Sequence, residues 1–335
     1  METGKTAAQS EILFNRLNKR YRHLKKWARR IGTNAFRLYD RDIPEIPLVL
    51  DLYGDAVSGA IYKRPGEKGV SEEELQSAET WLTAMREAIT GALGINNANI
   101  FLKERHRMRD RQNNEAQYAK MASKSFYRDA HEGGLTFRVN LSDYLDTGLF
   151  LDARKKRALI RSEAGDKRVL NLFAYTSTLS VSAAKGGAQQ VDSVDLSNTY
   201  LEWGRINFAL NGLTLFDAEE SSRYNFIRKD VFQFMAQAAA KRSRWDLIIL
   251  DPPSFSNSKN MRGTLDIKRD YHDLIKRCLL LLCPGGTLWF STGKKGFSLE
   301  STNFPGFSIK DISPELMDED FKGKRIPFCY KIKSL

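Results

Sequence analysis

The sequence predicts an α/β protein in which a smaller mixed α+β domain precedes a parallel sheet covered by helices on both faces. From about Arg168 onward, short apolar runs that suit buried strands alternate with helical segments, which is typical of a parallel sheet. Before that point the chain contains hairpin-like strand pairs and amphipathic helices. The 335 residues, 41% of them hydrophobic, suffice for two cores. We place the first domain at residues 1–135 and the second at residues 136–335.

The first segment is an amphipathic helix with a basic face. Between Arg16 and Arg30 there are eight lysines and arginines and no acidic residue, while apolar residues recur at steps of three and four. Such a face is typical of nucleic-acid or phosphate binding, although a solvated face on a packed helix gives the same pattern. The residues that we predict to bind RNA phosphates are Lys19, Arg22, Lys26 and Arg29.

The remainder of the first domain contains strands around one further helix. Two strand-like runs joined by Gly54-Asp55 predict a hairpin, and a capping box that begins at Ser71 predicts a helix. A polar, arginine-rich stretch then extends from Glu104 to Lys124. We predict that Arg105 and Arg107 in this stretch bind RNA, and an ordinary solvated loop is an equally good interpretation.

The second domain is predicted from five strands and the helices between them. The predicted strands are Arg168–Phe173, Gln190–Asp195, Tyr224–Arg228, Trp245–Asp251 and Thr287–Ser291. Helices are predicted at 178–185, 198–211, 231–240 and 267–282, and two closing strands at 307–312 and 326–332.

Charge and cysteine content limit the possible function classes. Fifty-three lysines and arginines against 41 acids leave a net charge of +12, which attracts polyanions. The three cysteines do not form a disulfide framework. The longest apolar run, Cys278 to Cys283, is far shorter than the roughly 20 residues that span a bilayer. We therefore expect a cytoplasmic protein with no membrane partner.

The chemically informative residues follow the predicted strands, where ligands bind in open parallel sheets. The second strand ends at Asp195, which suits ribose hydroxyls, and the third leads to Asp230, which suits an adenine amine. The fourth continues into Asp251-Pro252-Pro253-Ser254-Phe255. Each acid alone is ordinarily a helix cap. Since the sequence contains neither the dinucleotide nor the nucleotide-triphosphate glycine loop, the three acids in order favour S-adenosylmethionine, an adenosine cofactor without phosphates.

Several longer stretches are specific enough to indicate a family. They are Asn15-Arg16-Leu17, Lys26-Trp27-Ala28, Phe36–Asp40, Val139–Asp152, Asn171–Thr176, Thr199–Trp203, Asp251–Lys259, Arg269-Asp270 and Gly296-Phe297. These stretches resemble the C-terminal, guanine-N7 half of the bacterial 23S ribosomal RNA guanine methyltransferase K/L family. The resemblance implies a Rossmann-like, seven-stranded class I methyltransferase sheet, S-adenosylmethionine as cofactor and 23S rRNA as partner.

The resemblance also implies a set of cofactor-binding residues. It places Thr147–Asp152 and Arg154 over the methionine end of the cofactor, with Arg154 on the carboxylate; a solvated helix turn is the alternative for Arg154. Together with the strand ends, it assigns to the cofactor Phe150, Asp152, Arg154, Asn171, Phe173, Tyr175, Thr176, Asp195, Leu196, Asp230 and Val231.

Two departures from the family pattern matter. The glycine that usually follows Tyr-Thr in the cofactor loop is Ser177 here, which puts the tight backbone approach of that loop in doubt. The other half of the two-enzyme members, an RNA-binding module with an N2-guanine methyltransferase, has no counterpart in this sequence. We therefore expect a stand-alone version of the guanine-N7 half.

The implied reaction requires little from the protein. Guanine N7 has a lone pair and no proton, so its methylation needs alignment and tolerance of positive charge rather than a general base. The predicted catalytic residues are Asp251, Pro252, Pro253 and Phe255. Asp251 would stabilise the charge or hold the guanine edge, the prolines would present carbonyls, and Phe255 would stack on a flipped base or merely pack over the sheet.

Other reactions remain open. An acidic Asp-Pro-Pro-aromatic site also suits an exocyclic amine, N2 of guanine or N6 of adenine. Methylation of cytosine C5 requires a thiolate. The segment after the fifth strand, Ser291-Thr292-Gly293-Lys294, contains no cysteine. We expect Cys278 and Cys283 to be buried. A non-catalytic RNA-binding protein with a decayed cofactor pocket is a further alternative. No metal site is predicted, since the four histidines are scattered.

Overall fold

A computed structural model describes residues 2–62, 72–105, 121, 124–213, 223–256, 264–300 and 303–334. The chain forms two compact units. The first comprises Met1–Gly134 and Val139–Thr147, and the second comprises Leu135–Arg138 and Gly148–Leu335. The single boundary after residue 135 that the sequence suggested stays a prediction.

The first unit contains a four-stranded sheet and two helices. Its elements are α1 (Glu2–Ile31), β1 (Ala35–Asp40), β2 (Leu48–Tyr53), β3 (Ala56–Tyr62), α2 (Glu72–Leu93) and β4 (Ile100–Arg105), with the strand order β1-β2-β3-β4. Strands β1 to β3 are antiparallel, and β4 is parallel to β3. Leu13, Leu17 and Leu24 of α1 are fully buried in the core shared with α2 and the strands. A hairpin of β5 (Tyr127–Glu132) and β6 (Leu135–Asn140) follows.

Sequence patterns found most of these elements. The amphipathic helix, the hairpin at Gly54-Asp55 and the second helix are present, while Ser71 and Arg107 lie outside the described residues. Strand β1 was not predicted. Its pattern lacks simple alternation because five of its six residues are buried and its register shifts between Arg37 and Tyr39.

The second unit is built on a seven-stranded sheet with the order β14-β15-β13-β10-β7-β8-β9, which confirms the predicted fold. The strands are β7 (Arg168–Leu172), β8 (Gln190–Asp195), β9 (Tyr224–Arg228), β10 (Trp245–Leu250), β13 (Leu282–Thr292), β14 (Phe307–Asp311) and β15 (Phe328–Ser334). The helices are α3 (Arg154–Glu163), α4 (Thr178–Lys185), α5 (Asn198–Leu210), α6 (Val231–Ala240) and α7 (Ile267–Leu280). A short ribbon pairs β11 (Phe255–Ser256) with β12 (Leu265–Asp266).

The strand order places a ligand crevice between β7 and β10. The neighbouring strands from β13 to β9 are all parallel, and only β15 and β14 run antiparallel. The chain proceeds from β7 outward to β9 and then returns to β10 on the other side of β7, so the strand order reverses there. Ligands bind at the carboxyl ends of strands at such a reversal. None of the helices in the described ranges is long and apolar enough to cross a bilayer.

Candidate active site

The loop after β7 is held in an unusual backbone conformation. Phe173, Tyr175 and Ser177 all have positive φ, at 58°, 50° and 58°, which costs a non-glycine residue about 1–2 kcal/mol each. The loop is fixed from several sides. The Tyr175 amide donates to Asp195 Oδ2 at 2.8 Å, and Thr176 Oγ1 donates to the Gly148 carbonyl at 2.6 Å. This strain is concentrated at the ligand edge of the sheet, where function ordinarily maintains it.

Ser177 keeps the conformation that a glycine would adopt at this position. It lies in the left-handed region with φ 58° and ψ 28°, directly before α4. Its buried hydroxyl has no hydrogen-bond partner within the described ranges. A Cβ built on Gly204 would lie 2.6 Å from Ser177 Oγ, so the larger residue is accommodated because position 204 is glycine. The substitution therefore leaves the loop geometry intact and carries a cost in strain.

Gly148 is constrained from two directions. Its φ is 93°, and a Cβ built on it would lie 2.3 Å from the Trp203 ring. No other residue fits beside this ring without rearrangement. Because the Gly148 carbonyl accepts from Thr176, the segment that the resemblance placed over the cofactor is joined to the loop after β7.

Asp195 lies where β8 ends, and it supports the loop as well as facing the crevice. Its Oδ1 accepts from the Ser197 amide at 2.9 Å, while Oδ2 holds Tyr175. Burial raises the pKa of Asp195, and the bonds from the Ser197, Tyr175 and Leu196 amides partly offset this rise. A carboxylate has about four acceptor positions, so capacity remains for a ligand hydroxyl.

Three aromatic rings form a row beside this carboxylate. The Phe150 ring centroid is 5.3 Å from that of Tyr175, which is 4.5 Å from that of Tyr200. Phe150 is 47% exposed, although Leu149 and Leu151 on either side are buried. An exposed aromatic ring between buried neighbours suits a planar ligand.

Several residues predicted for the cofactor instead serve the protein interior. Asn171 is buried and donates to Ser180 Oγ at 2.9 Å, and Val231 belongs to the hydrophobic core. Asp230 caps α6 by accepting from the Gln233 amide at 3.0 Å. Asn171 and Val231 are therefore buried in this structure, and their contacts with the cofactor stay predictions. Asp230 has one oxygen committed to its helix.

The structure gives Arg154 a role different from the predicted one. Its buried guanidinium donates to Asp318 and Asp320, both at 3.0 Å. These acids satisfy the charge that we assigned to a ligand carboxylate, so that assignment is not supported. The geometry also excludes the solvated alternative, because Arg154 itself is buried. Arg157 is buried as well and donates to the Phe150 carbonyl at 2.9 Å.

Asp251 belongs to a triad that sequence reasoning missed. Lys156 Nζ lies 2.6 Å from Asp251 Oδ2, and Ser291 Oγ donates to Asp251 Oδ1 at 2.8 Å. Lys156 also donates to Ser291 at 2.9 Å. The lysine side chain is only 5% exposed, whereas that of Asp251 is 31% exposed and reaches the crevice. Burial lowers the pKa of Lys156, but the charge and hydrogen bond of Asp251 together with the influence of Cys329 and Asp152 exceed this effect, and the net shift is upward, so the ammonium stays charged.

The rest of the Asp-Pro-Pro-Ser-Phe segment is only partly exposed. Pro252 is buried, while Pro253 and Phe255 are half-buried. Phe255 begins the β11–β12 ribbon opposite Asp266. Its half-buried position is compatible with both predicted roles, stacking on a base and packing.

The predicted RNA-binding residues differ in availability. Lys19, Arg22, Lys26 and Arg29 are all exposed on α1. Arg16 and Arg20, on the same helix, instead bind Asp42 and the Leu38 carbonyl. Arg105 pairs with Asp146 at 3.2 Å within its own unit, so its guanidinium is partly committed.

A sequence profile described as S-adenosylmethionine-dependent methyltransferase matches residues 51–301. The chain belongs to this family. It is 42% identical over 324 residues to ribosomal RNA large subunit methyltransferase K from Neisseria meningitidis, covering 95% of this chain and 86% of that protein. It is also 42% identical over 328 residues to the K/L protein of Methylococcus capsulatus, covering 97% of this chain and 43% of that protein. The resemblance to the K/L family is confirmed, and the chain spans less than half of that longer relative.

Solved methyltransferase structures share the fold. A methyltransferase complexed with SAH superposes with a TM-score of 0.71 at 24% identity, covering 97% of this chain and 81% of that one. A SAM-dependent methyltransferase from Agrobacterium tumefaciens gives 0.59 at 18% identity, with 90% of each chain covered. S-adenosylmethionine is thus the cofactor of this methyltransferase. The strained loop, the free acceptor capacity of Asp195 and the aromatic row fit an adenosine with ribose hydroxyls.

Proposed function

We propose that this methyltransferase modifies N7 of a guanine in 23S rRNA. The names of the relatives support large-subunit ribosomal RNA as the substrate class. The exposed basic face of α1 suits a polyanion. The surroundings of Asp251 favour N7 as the position of methylation.

The observation that carries the proposal is the pairing of Asp251. Both of its oxygens already accept hydrogen bonds, one from the Lys156 ammonium and one from Ser291. The carboxylate is therefore held in place as a hydrogen-bond acceptor, with both oxygens already engaged by protein donors. It suits a nucleophile with no proton to lose, which is the case for guanine N7 and not for an exocyclic amine.

The chain's own residues then need only orient and desolvate the reactants. S-adenosylmethionine supplies an electrophilic methyl group on a sulfonium. N7 forms its bond to the methyl carbon as the carbon–sulfur bond breaks, and the positive charge passes to the purine with no proton transfer. Asp251 accepts hydrogen bonds from the guanine edge and partly offsets that charge. Asp195 accepts from the ribose hydroxyls, and Phe255 stacks on the base.

The positions of the cysteines argue against covalent attack on cytosine. Cys329 lies opposite Ser291 in the β13–β15 pairing, next to the triad. Burial raises its pKa to about 12. Burial also raises the pKa of Cys278. Cys283 is half-buried rather than buried as expected, and it lies at the amino-terminal end of β13, the end away from Ser291 and Asp251. A thiol with so high a pKa supplies almost no thiolate near neutral pH.

The product of the reaction tests the proposal. The purified protein is incubated with deproteinised 23S rRNA and methyl-labelled S-adenosylmethionine, and the RNA is digested to nucleosides for mass spectrometry. We expect 7-methylguanosine, with strand cleavage at the modified position after borohydride and aniline. N2-methylguanosine or N6-methyladenosine would establish amine chemistry instead, and 5-methylcytidine that disappears in Cys329→Ala would establish covalent catalysis.

Cofactor placement is tested separately at Asp195. Asp195→Ala removes the ribose acceptors and also releases the Tyr175 amide, so we expect calorimetry to show binding weaker by at least about tenfold. Asp195→Asn keeps one acceptor and should lose less. If the alanine variant binds S-adenosylmethionine normally, the placement is wrong. If wild-type protein itself binds none, the chain is a non-catalytic RNA-binding protein.

A further inference from the structure

Two loops of the second unit lie along the same sheet edge as Asp251. The first, residues 293–296, follows β13, and the second, residues 322–327, precedes β15. Because β15 runs antiparallel to β13 and Thr292 pairs with Phe328, the two loops meet at the carboxyl end of β13. β10, which leads into Asp251, is the parallel neighbour of β13 on its other side.

Direct contacts join these loops to each other and to the catalytic segment. The Arg325 guanidinium donates to the Gly293 carbonyl at 2.6 Å. A Cβ built on Gly293 would lie 3.7 Å from Ser254 Oγ, which places the first loop against the Asp-Pro-Pro-Ser-Phe segment. The loops therefore border the position that the proposed function gives to the target base.

The charge of the loops is entirely basic. Together they contain five lysines and arginines and no acid: Lys294, Lys295, Lys322, Lys324 and Arg325. Lys295, Lys322 and Arg325 are exposed. The nearby acids are largely compensated, since Asp318 and Asp320 bind Arg154 and Asp266 lies 3.9 Å from Lys294. A positive rim therefore remains beside the carboxylate of Asp251.

We propose that the loops 293–296 and 322–327 form a second RNA-binding surface, the edge grip, which binds backbone phosphates next to the target nucleotide. Extraction of a base from its stack costs a few kcal/mol, and contacts to the flanking backbone are a direct way to offset that cost. Lysines and arginines on loops suit phosphates because contacts to phosphate oxygens fix the position of the RNA without reading its bases. This inference rests on the proposed function for its substrate, an RNA, and not on which atom is methylated.

The salt dependence of binding to a short RNA tests the edge grip. The triple variant Lys295→Gln, Lys322→Gln, Arg325→Gln is compared with wild type by fluorescence anisotropy, using labelled 20-nucleotide oligouridylate across a salt series. Each lost phosphate contact lowers the log–log slope by about 0.7 in single strands. We expect a slope smaller by about 1.5–2 units and affinity at least about tenfold weaker, with S-adenosylmethionine affinity retained.

The opposite edge of the sheet supplies a matched control. Lys185, Lys241 and Arg244 are exposed basic residues near the amino ends of β8 and β10. Their triple glutamine variant has the same net charge as the first and should keep the wild-type slope. Equal decreases of the salt slope in both triple variants would show that only net charge matters. An unchanged slope in the first triple variant would rule out the edge grip. Because binding is measured directly, a product other than 7-methylguanosine would overturn the proposed reaction and leave this result intact.

Discussion

Two basic clusters that look alike in sequence lie in opposite environments. On α1, Lys19, Arg22, Lys26 and Arg29 are exposed. At the start of α3, Arg154, Lys156 and Arg157 are buried. The two clusters differ because two residues of the α3 cluster have acidic partners that lie far away in the sequence. Lys156 reaches an acid 95 positions later in the chain, and Arg154 reaches acids 164 and 166 positions later.

The difference teaches how to interpret a run of lysines and arginines. A buried charge is tolerated only where partners satisfy it, so the α3 cluster is a structural and site-forming feature. An exposed run costs nothing to maintain and stays available for polyanions.

Lys156→Met should impair methyl transfer most. Without the ammonium, Asp251 is no longer held in position, and we expect kcat to fall by about 10²–10³-fold, the loss typical when one preorganised polar group is removed from an active site. Rapid-quench methylation of 23S rRNA measures the rate, and calorimetry measures cofactor affinity, which should change little.

The neighbouring lysine provides the control for that variant. Lys155 donates to the Met317 carbonyl at 2.5 Å and does not contact Asp251, so Lys155→Met should keep kcat. Lys156→Arg retains the charge and should recover part of the rate. If Lys156→Met lowers the melting temperature but the folded protein turns over normally, Lys156 is only structural and does not position Asp251.

Lys103 is a buried lysine with weaker compensation. Its ammonium donates to the Tyr144 carbonyl. Burial lowers its pKa to about 8, against the opposing influence of Asp146 and Asp143. Between pH 8 and about 10.4, the ordinary lysine value, the unfolded chain holds a proton that the folded chain has released. The contribution of Lys103 to the free energy of unfolding should therefore rise with pH in that window, by up to about 3 kcal/mol.

Denaturant titrations at several pH values check this effect. Lys103→Met should lose the rise, so its stability relative to wild type should be highest near pH 8 and decline toward pH 10. Lys19→Met, at an exposed position, should track wild type throughout. If the free energies of unfolding of wild type and Lys103→Met change in parallel with pH, Lys103 keeps an ordinary pKa.

Local pattern predicted the elements of the second unit well, because buried strands and amphipathic helices are encoded by neighbouring residues. Helices α4 and α6 begin and end where expected, at 178–185 and 231–240. Asp195 and Asp251 were identifiable because Asp195 ends a strand and Asp251 directly follows one. Lys156 carried no signal, since its partner lies far away in sequence. The burial of Asn171 and Val231 was not predictable, because the side of the strand or helix on which a residue lies depends on the packing around it.

The exposed cluster on α1 should contribute to RNA affinity without supporting the fold. Replacing Lys19, Arg22, Lys26 and Arg29 with glutamine should weaken oligouridylate binding by about tenfold and reduce the log–log salt slope by up to about 0.7 for each lost contact. Arg16→Gln is the contrasting variant. It breaks the pair with Asp42 and should cost stability of about 1 kcal/mol or less, with little change in slope. If the quadruple variant has the same salt slope as wild type, the basic face of α1 is only solvated and does not bind RNA.

The smallest expected effect concerns a buried group without charge, the hydroxyl of Ser177. Ser177 has a buried hydroxyl without a partner among the described residues and a left-handed backbone. Ser177→Gly removes both costs, although glycine loses more backbone entropy on folding. We expect a net gain of about 1 kcal/mol, seen as a higher denaturant midpoint. Ser177→Ala keeps the strained backbone and removes only the hydroxyl, so it should gain less. If alanine stabilises as much as glycine, the hydroxyl and not the backbone is the source of the cost, and a destabilised glycine variant would show that Ser177 has a partner in solution.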